Sequence, residues 1–488
     1  MSATAAKPAL KPELDTFETV IGLECHVELS TRTKMFCGCR NAFGAEPNTF
    51  VCPVCLGLPG TLPVPNARAI EFIQRIGLAL DCRVAEHSLF HRKNYFYPDM
   101  PKNFQISQYD LPICIAGHLD VPVDGETRRI GITRVHMEED TGKTSHAGAT
   151  GRIAEADYAL IDYNRAGVPL VECVSEPDMR SAEEARAYLT ELRATLQALD
   201  VSDVRMEEGS LRCDANVSVR ERGSTDLGVK VEVKNLNSIR SLYAAVRYEE
   251  ERQRAALRDG TPIVQETRHW DENKQITSSL RSKEFAFDYR YFPEPDLPAL
   301  EPPPSEVEGI RRRLPELPKA RRERLLATEG LGEDQARVLG DSADLAYAVD
   351  RVRAKLKEVP VKTIANWVIN EPSSDIRSEV AAIADVVRLV HDGDISALAG
   401  KEVLAEIRVS GRTAEEIVEE KGLKQVSDAS ELARVVDEVL AENPGPAEQF
   451  RGGKEGIIGF LVGQVMKKTG GSANPKVAQD LLRERLTS

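Results

Sequence analysis

The stretch VIGLECHVEL, residues 20–29, puts Ile21, Leu23, Cys25, Val27 and Leu29 at every second position, with Glu24, His26 and Glu28 between them. A period of two marks a β-strand with one buried face and one polar face. The alternation recurs at residues 211–220, where Cys213, Ala215, Val217 and Val219 alternate with Arg212, Asp214, Asn216 and Ser218. At residues 229–234 three valines alternate with Lys230, Glu232 and Lys234. Strands of this kind belong to antiparallel sheets packed on one side. Helices interrupt them. Ser181-Ala182-Glu183-Glu184 reads as a capping box that opens a helix with Leu189, Leu192, Leu196 and Leu199 on its inner stripe. A second helix runs over residues 238–258 and closes at Gly260.

Past the proline cluster 302–304 the pattern changes. Nearly all Cys and His disappear, and Leu/Ala/Arg/Glu stretches with helical spacing take over. The expected class is α+β: a mainly antiparallel-sheet cradle domain over residues 1–300, an all-α domain over 301–405, and a small helical tail domain over 406–488.

The chain has 488 residues, 41% apolar and 29% charged, which suits a soluble multi-domain protein with a substantial core. Its longest apolar stretch, 457–466, is about half a bilayer span, so no membrane segment is expected. Residues 1–11 lack the apolar core of a signal peptide and read as a short disordered tail. Nine cysteines, several of them single in apolar runs (Cys25, Cys114, Cys173), fit the reduced thiols of a cytoplasmic protein. The net charge of −14 argues against a protein that simply coats nucleic acid. From Arg451 onward, however, seven Lys/Arg stand against three Asp/Glu, a local surplus of four positive charges.

Cys37-Gly38-Cys39 and Cys52-Pro53-Val54-Cys55, twelve residues apart, are the strongest local signal. Two close pairs across a short loop can wrap a tetrahedral Cys₄ site, and with all four ligands supplied by the chain such a zinc site is structural. An iron–sulfur cluster and four free thiols are the alternatives. The second constellation is rich in carboxylates. Glu24, His26 and Glu28 share a strand face, His136 precedes Glu138, Glu139 and Asp140, and Glu172 interrupts the apolar run 168–174. A carboxylate in such a run is costly unless paired or metal-bound. Glu207, Glu208, Asp214 and Asn216 add oxygen ligands. Hard oxygens suit Mg²⁺ with substrate phosphates, whereas His26 would be an atypical Mg²⁺ ligand and suits Mn²⁺ or the orienting of a carboxylate. Arg92, Lys93, Lys102, Arg165 and Lys234 could clamp a phosphorylated substrate. No P-loop and no G-x-G-x-x-G loop occurs. In the tail, Lys454, Lys467 and Lys468 flank a helix with Gly459 and Gly463 four apart, a pattern open to an RNA backbone or to ordinary helix packing.

These motifs together resemble the B subunit of the aspartyl-tRNA(Asn)/glutamyl-tRNA(Gln) amidotransferases. The resemblance is carried by FETVIGLECHVEL (17–29), RKNYFYPDMPKNFQISQY (92–109), GITRVHMEEDTGK (131–143), IDYNRAGVPLVECVSEPDM (161–179), RMEEGSLRCDANVSV (205–219), DYRYFPEPD (288–296) and GFLVGQVMKKTGGSANP (459–475). The Cys₄ loop occurs in part of that family. Val171 and Cys173 depart from the aliphatics expected beside Glu172, and residues 145–156 look longer than usual.

The resemblance implies an ATP-dependent phosphorylation of the side-chain carboxylate of Asp-tRNA(Asn) or Glu-tRNA(Gln), followed by amidation with ammonia. It implies a heterotrimer in which a glutaminase (amidase) subunit sends ammonia through a tunnel, alongside a small third subunit. Carried over to this chain, the catalytic set is Glu24, His26, Glu139 and Glu172, with His26, Glu139 and Glu172 on the metal. Lys93, Asp214, Asn216 and Lys234 are expected ATP contacts, chosen by residue type and position. Lys454, Lys467 and Lys468 are expected tRNA contacts. Two rival readings remain: a metal-dependent carboxylate–amine ligase for a small molecule, and a non-catalytic zinc-stabilised RNA-binding scaffold.

Overall fold

The structure, a computed structural model, describes residues 16–148, 156–282, 288–329, 331–373, 375–425, 429–469 and 473–487. The expected N-terminal tail 1–11 and residues 149–155 of the expected long loop lie outside the described residues. Two compact units divide between Pro318 and Lys319. The first is mixed α and β around a large sheet, and the second is helical. No helix among the described residues is long and apolar enough to cross a membrane.

In chain order the strands are β1 (Phe17–Glu28), β2 (Arg83–Val84), β3 (His91–Asn94), β4 (Phe104–Ser107), β5 (Cys114–Val123), β6 (Glu126–Glu139) and β7 (Lys143–Gly148). They continue as β8 (Ala156–Asp162), β9 (Pro169–Ser175), β10 (Leu211–Glu221), β11 (Val231–Leu236), β12 (Glu266–Asp271), β13 (Ile276–Ser282) and β14 (Phe292–Pro293). Nine of them form one sheet in the order β13-β12-β11-β10-β1-β9-β6-β5-β2. Every neighbouring pair is antiparallel except β11 with β12. That parallel pair needs a crossover, and helix α3 below supplies it. Two small sheets, β14-β3-β4 and β7-β8, complete the unit.

The alternation in β1 has the expected consequence. Ile21, Leu23, Cys25 and Val27 are wholly buried on the core face, as are Ala215 and Val217 of β10. Helices α1 (Ala67–Ala79), α2 (Ala182–Leu199) and α3 (Ile239–Arg258) pack on this unit, and α4 (Pro304–Arg312) lies against α1. In α2 the expected stripe Leu189, Leu192, Leu196 and Leu199 is fully buried. Its cap differs from the expected box in one bond: Ser181 accepts from the Glu184 N–H, but the Glu184 carboxylate accepts from Arg180, one residue before the cap. Helix α3 is capped by Ser238 and ends before Gly260 at φ +73°, a backbone region that favours glycine.

The second unit holds two separate apolar cores. One gathers Val349, Val352, Ile364, Val368, Ile383, Val387, Val403 and Ile417. The other is built by three helices that bury residues at i, i+3 or i+4, and i+7 or i+8: Leu432, Val436 and Val439; Ile458, Leu461 and Val465; Ala478, Leu482 and Leu486.

Candidate active site and cysteine cluster

With one face of the sheet packed, the other carries the polar residues. Strand register lines up Arg212 of β10, His26 of β1, Glu172 of β9 and His136 of β6 in a single row. The Glu172 carboxylate lies 3.2 Å from His136 Nε2 and 3.6 Å from His26 Nε2. Glu138, two residues further along β6, brings its carboxylate within 3.6 Å of the same His26 nitrogen. Burial works against ionisation of Glu172, but His136, and after it His26, outweighs burial and holds that carboxyl well below the usual range. His26, Glu138 and Glu172 offer three ligand atoms, all within 4.8 Å of one another. One imidazole and two carboxylates converging at that spacing fit a divalent cation.

The metal set expected from sequence included Glu139. The structure brings Glu138 to His26 and turns Glu139 away, since successive strand residues point to opposite sides. The Glu139 carboxylate meets Lys102 Nζ and accepts from the Ile106 N–H at 3.0 Å, in a separate cavity of about 190 Å³ beside Cys37 and Cys55. The signal for Glu138 was present in the parity of β6, where His136 and Glu138 are two apart.

Glu24, Lys93, Asp214 and Lys234 line the same cavity as His26 and Glu172, a space of about 370 Å³. Glu24 accepts from Asn216 Nδ2 at 2.9 Å, and Asn216 Oδ1 is buried with no hydrogen-bond partner among the described residues. Lys234 Nζ reaches Asp214 at 2.6 Å and Glu232 at 3.2 Å. Burial depresses its pKa less than Asp214 and Glu232 raise it, so the ammonium is held charged beyond its ordinary range. Lys93 Nζ sits 5.0 Å from the centre of the Tyr289 ring.

Next to this row Asp140 is almost wholly buried, with Arg212 Nη2 at 2.7 Å and Arg165 Nε at 3.6 Å. Burial pushes its carboxyl up, and the two guanidiniums overcome that and keep it ionised. Glu28 faces the opposite balance: burial first, then the Asp140 charge, raises it to about 8. One negative charge is therefore shared between these two carboxyls.

Cys37, Cys39, Cys52 and Cys55 converge with all four sulfurs within 4.8 Å of one another, and the Cys52 and Cys55 sulfurs are 3.9 Å apart. Tetrahedral thiolates at ~2.3 Å from zinc stand ~3.8 Å from each other, so the donors fit that ion in kind and spacing. Hydrogen bonding from Cys37, then the Cys52 N–H and the Lys34 charge, lowers the Cys55 thiol to about 4. Lys34 is fully buried, 3.8 Å from that sulfur.

In the helical unit, Lys454 and Lys467 are exposed, whereas Lys468 pairs with Glu438 at 3.0 Å and Glu442 at 2.6 Å. Added Cβ atoms on Gly459 and Gly463 would meet nothing within 4 Å, so this side of helix Ile458–Lys468 is open.

Two family descriptions match the chain: "GatB/GatE catalytic domain" over residues 19–308 and "GatB domain" over residues 350–486. The B subunits of aspartyl/glutamyl-tRNA(Asn/Gln) amidotransferases are similar along its whole length. That of Moorella thermoacetica is 54% identical, covering 96% of this chain and 100% of its own. That of Frankia casuarinae is 52% identical over 100% of this chain and 99% of its own, and that of Persephonella marina 50% over 96% and 99%. Matches of this extent over both chains settle the family: the chain belongs to the B subunits of the aspartyl/glutamyl-tRNA(Asn/Gln) amidotransferases.

Proposed function

We propose that this chain phosphorylates the side-chain carboxylate of Asp-tRNA(Asn), Glu-tRNA(Gln) or both with ATP, and then exchanges the phosphate for ammonia. The observation that carries this reading is the meeting of His26, Glu138 and Glu172 in one cavity with Lys93 and Lys234. A carboxylate at neutral pH is a poor electrophile and an acyl phosphate a good one. In the first step a substrate carboxylate oxygen bonds to the γ-phosphorus and the bond to ADP breaks. In the second, ammonia nitrogen bonds to the acyl carbon, inorganic phosphate leaves, and the excess proton passes to solvent. The attacking carboxylate is already ionised, so the first step needs no general base.

His26, Glu138 and Glu172 would hold Mg²⁺, with Glu24 beside them. That ion, when bound, offsets the charge of the phosphate oxygens. Lys93 and Lys234 attract the phosphates. Asp214 orients the Lys234 ammonium, and Asn216 orients Glu24. Cys37, Cys39, Cys52 and Cys55 would hold a structural zinc. Lys454, Lys467 and Lys468 are the proposed tRNA contacts. A glutaminase (amidase) subunit and a small third subunit are the proposed partners in a cytoplasmic heterotrimer, with ammonia passing from the glutaminase unexposed to water. Residues 1–300 are read as the kinase-like cradle, 301–405 as the helical domain and 406–488 as the tRNA-binding tail.

The test is ADP release by the chain with its partners, Mg-ATP and tRNA, each misacylated tRNA being compared with its correctly charged form. Release that needs the misacylated tRNA and vanishes in Glu172→Gln supports the proposal. Release indifferent to tRNA points to a small-molecule ligase, and none at all to a scaffold.

A further inference from the structure

A lysine lies against the cysteine cluster from inside the protein. Lys34 belongs to the short turn that carries the first cysteine pair, closed by the antiparallel bridge between Thr33 and Arg40. It touches both pairs. Its N–H donates to the Cys39 carbonyl at 2.9 Å, while its Nζ stands 3.0 Å from the Tyr163 carbonyl and 3.8 Å from the Cys55 sulfur. The side chain is fully buried, and no carboxylate among the described residues pairs with it. Gly167, at φ +86°, lets the three groups close in: a Cβ there would come within 3.6 Å of Lys34 Cδ, 3.7 Å of Cys55 Cβ and 3.7 Å of Glu139 Oε2. The Glu139 carboxylate is already taken by Lys102 and the Ile106 N–H.

A buried ammonium without an anionic neighbour is costly. A zinc ion held by four thiolates carries two net negative charges, and burying those is costly as well. Each offsets the other only when both are in place. We propose that the Lys34 ammonium is the countercharge of the zinc–thiolate centre and keeps the metal in place through the Cys55 sulfur. This rests on the structural zinc proposed above. Lys34 is a positioning residue and not a ligand, since an ammonium has no lone pair to give; it donates to the sulfur and lends its charge. Through its main chain on Cys39 and its side chain on Cys55 it also spans the two halves of the cluster. A lysine kept only to donate to the Tyr163 carbonyl would need a donor there and no charge.

The experiment uses the full chain with its partners and measures zinc content and zinc affinity, the latter by competition with a chromophoric chelator, in wild type, Lys34→Met and Lys34→Gln. Methionine keeps most of the stem without donor or charge, and glutamine keeps a donor without charge. Both variants are expected to bind zinc roughly 10- to 100-fold more weakly, the usual loss when the partner of a metal ligand is removed. An affinity within about twofold of wild type in Lys34→Gln would overturn the proposal, because a neutral donor would then suffice. A second measurement separates charge from packing. The effect of Lys34→Met on Tm is compared in the zinc-loaded chain and in a Cys55→Ser background. With Cys55 present the substitution is expected to lower Tm. In the Cys55→Ser background it is expected to leave Tm unchanged or raise it, because the ammonium has already lost its anionic neighbour. An equal fall in both backgrounds would make Lys34 a packing residue and overturn the proposal. A wild-type chain that binds no zinc overturns it together with the zinc site, whereas a zinc-binding wild type matched by Lys34→Met overturns this proposal alone.

Discussion

Glu138 and Glu139 are consecutive residues of β6 whose carboxyls enter different cavities, Glu138 beside His26 and Glu139 against Lys102. Their isosteric substitutions should therefore fail in different ways. Glu138→Gln removes the negative charge of a proposed metal ligand and is expected to lower kcat/KM for tRNA-dependent ADP formation on the order of 10²-fold, with partial recovery at high Mg²⁺. Glu139→Gln leaves the Lys102 ammonium, 11% exposed, without its countercharge. Breaking such a pair costs about 3 kcal/mol in unfolding free energy and leaves the Mg²⁺ requirement as it was. Mg²⁺ titrations of ADP release and urea unfolding of both variants check this, and a shifted Mg²⁺ requirement in Glu139→Gln alone would sink it.

Lys234 is expected to act on ATP as a fixed positive charge. Lys234→Met should raise the ATP KM about 10- to 100-fold, because a charge-assisted contact is lost and Asp214 then faces the phosphates unneutralised. Lys234→Arg keeps the charge and should recover part of the loss. The sign of the pH effect follows from the pKa. A lysine raised above its ordinary value is fully charged at every lower pH, and its contribution fades only as pH climbs through the raised value. The ratio of ATP KM between Lys234→Met and wild type should hence stay flat from about pH 6.5 to about pH 9. A ratio that collapses towards one inside that window would show that the lysine titrates there.

How much of this could be read from the sequence depends on whether the signal is local. Alternation in β1 and β10 is local, and it separated Cys25 and Cys213 in the core from His26 and Asp214 in the cavity. Glu172 stood out because its apolar neighbours predict burial. The parity of β6 puts Glu138 on the side of His136, but that this side is the one shared with His26 and Glu172 is not local, because it needs the register that joins residues 136, 172 and 26. Strand β12, ETRHWD, has neither alternation nor an apolar run, so its parallel pairing with β11 was hidden. Tyr95, Phe96 and Tyr97 line one cavity with Tyr289 and Phe292, two segments nearly two hundred positions apart that meet through the pairing of β14 with β3 and hydrogen bonds from Asn94.

The nine cysteines should divide into four and five by reactivity. Cys37, Cys39 and Cys52 are half-buried and Cys55 is buried beside them in one loop, while Cys25, Cys82, Cys114, Cys173 and Cys213 are buried in the first unit's core. Burial pushes Cys82 up to about 12 and takes Cys114 and Cys173 well above the ordinary thiol range. For Cys25 the hydrogen bond with the Cys213 thiol, and after it burial, pushes in the same direction. At pH 8 the thiolate fraction of Cys82 is then on the order of 10⁻⁴. With zinc bound, a disulfide reagent is expected to find no fast thiol; after a strong chelator only thiols of the cluster should react before unfolding, with the lowered Cys55 and half-buried Cys52 ahead of the raised Cys37 and Cys39, and the remaining five only on unfolding. A fifth fast thiol in the folded, chelated protein would contradict the burial of that set.

The tail lysines differ in how free their charge is to meet a phosphate. Lys454 and Lys467 are exposed, whereas Lys468 lies between Glu438 and Glu442. If the tail grips an RNA backbone, Lys454→Ala and Lys467→Ala should each weaken tRNA binding to a similar degree for cognate and non-cognate tRNA. Each should also reduce the slope of log affinity against log salt by about one. Lys468→Ala removes a charge already neutralised by two carboxylates, and exposed ion pairs screened by water contribute little, so fold stability should scarcely change. Its effect on the salt slope should be smaller than that of either neighbour. Filter binding of tRNA over a range of salt concentrations measures all three slopes, and equal slopes for wild type and the three variants would remove the tail from the tRNA interface.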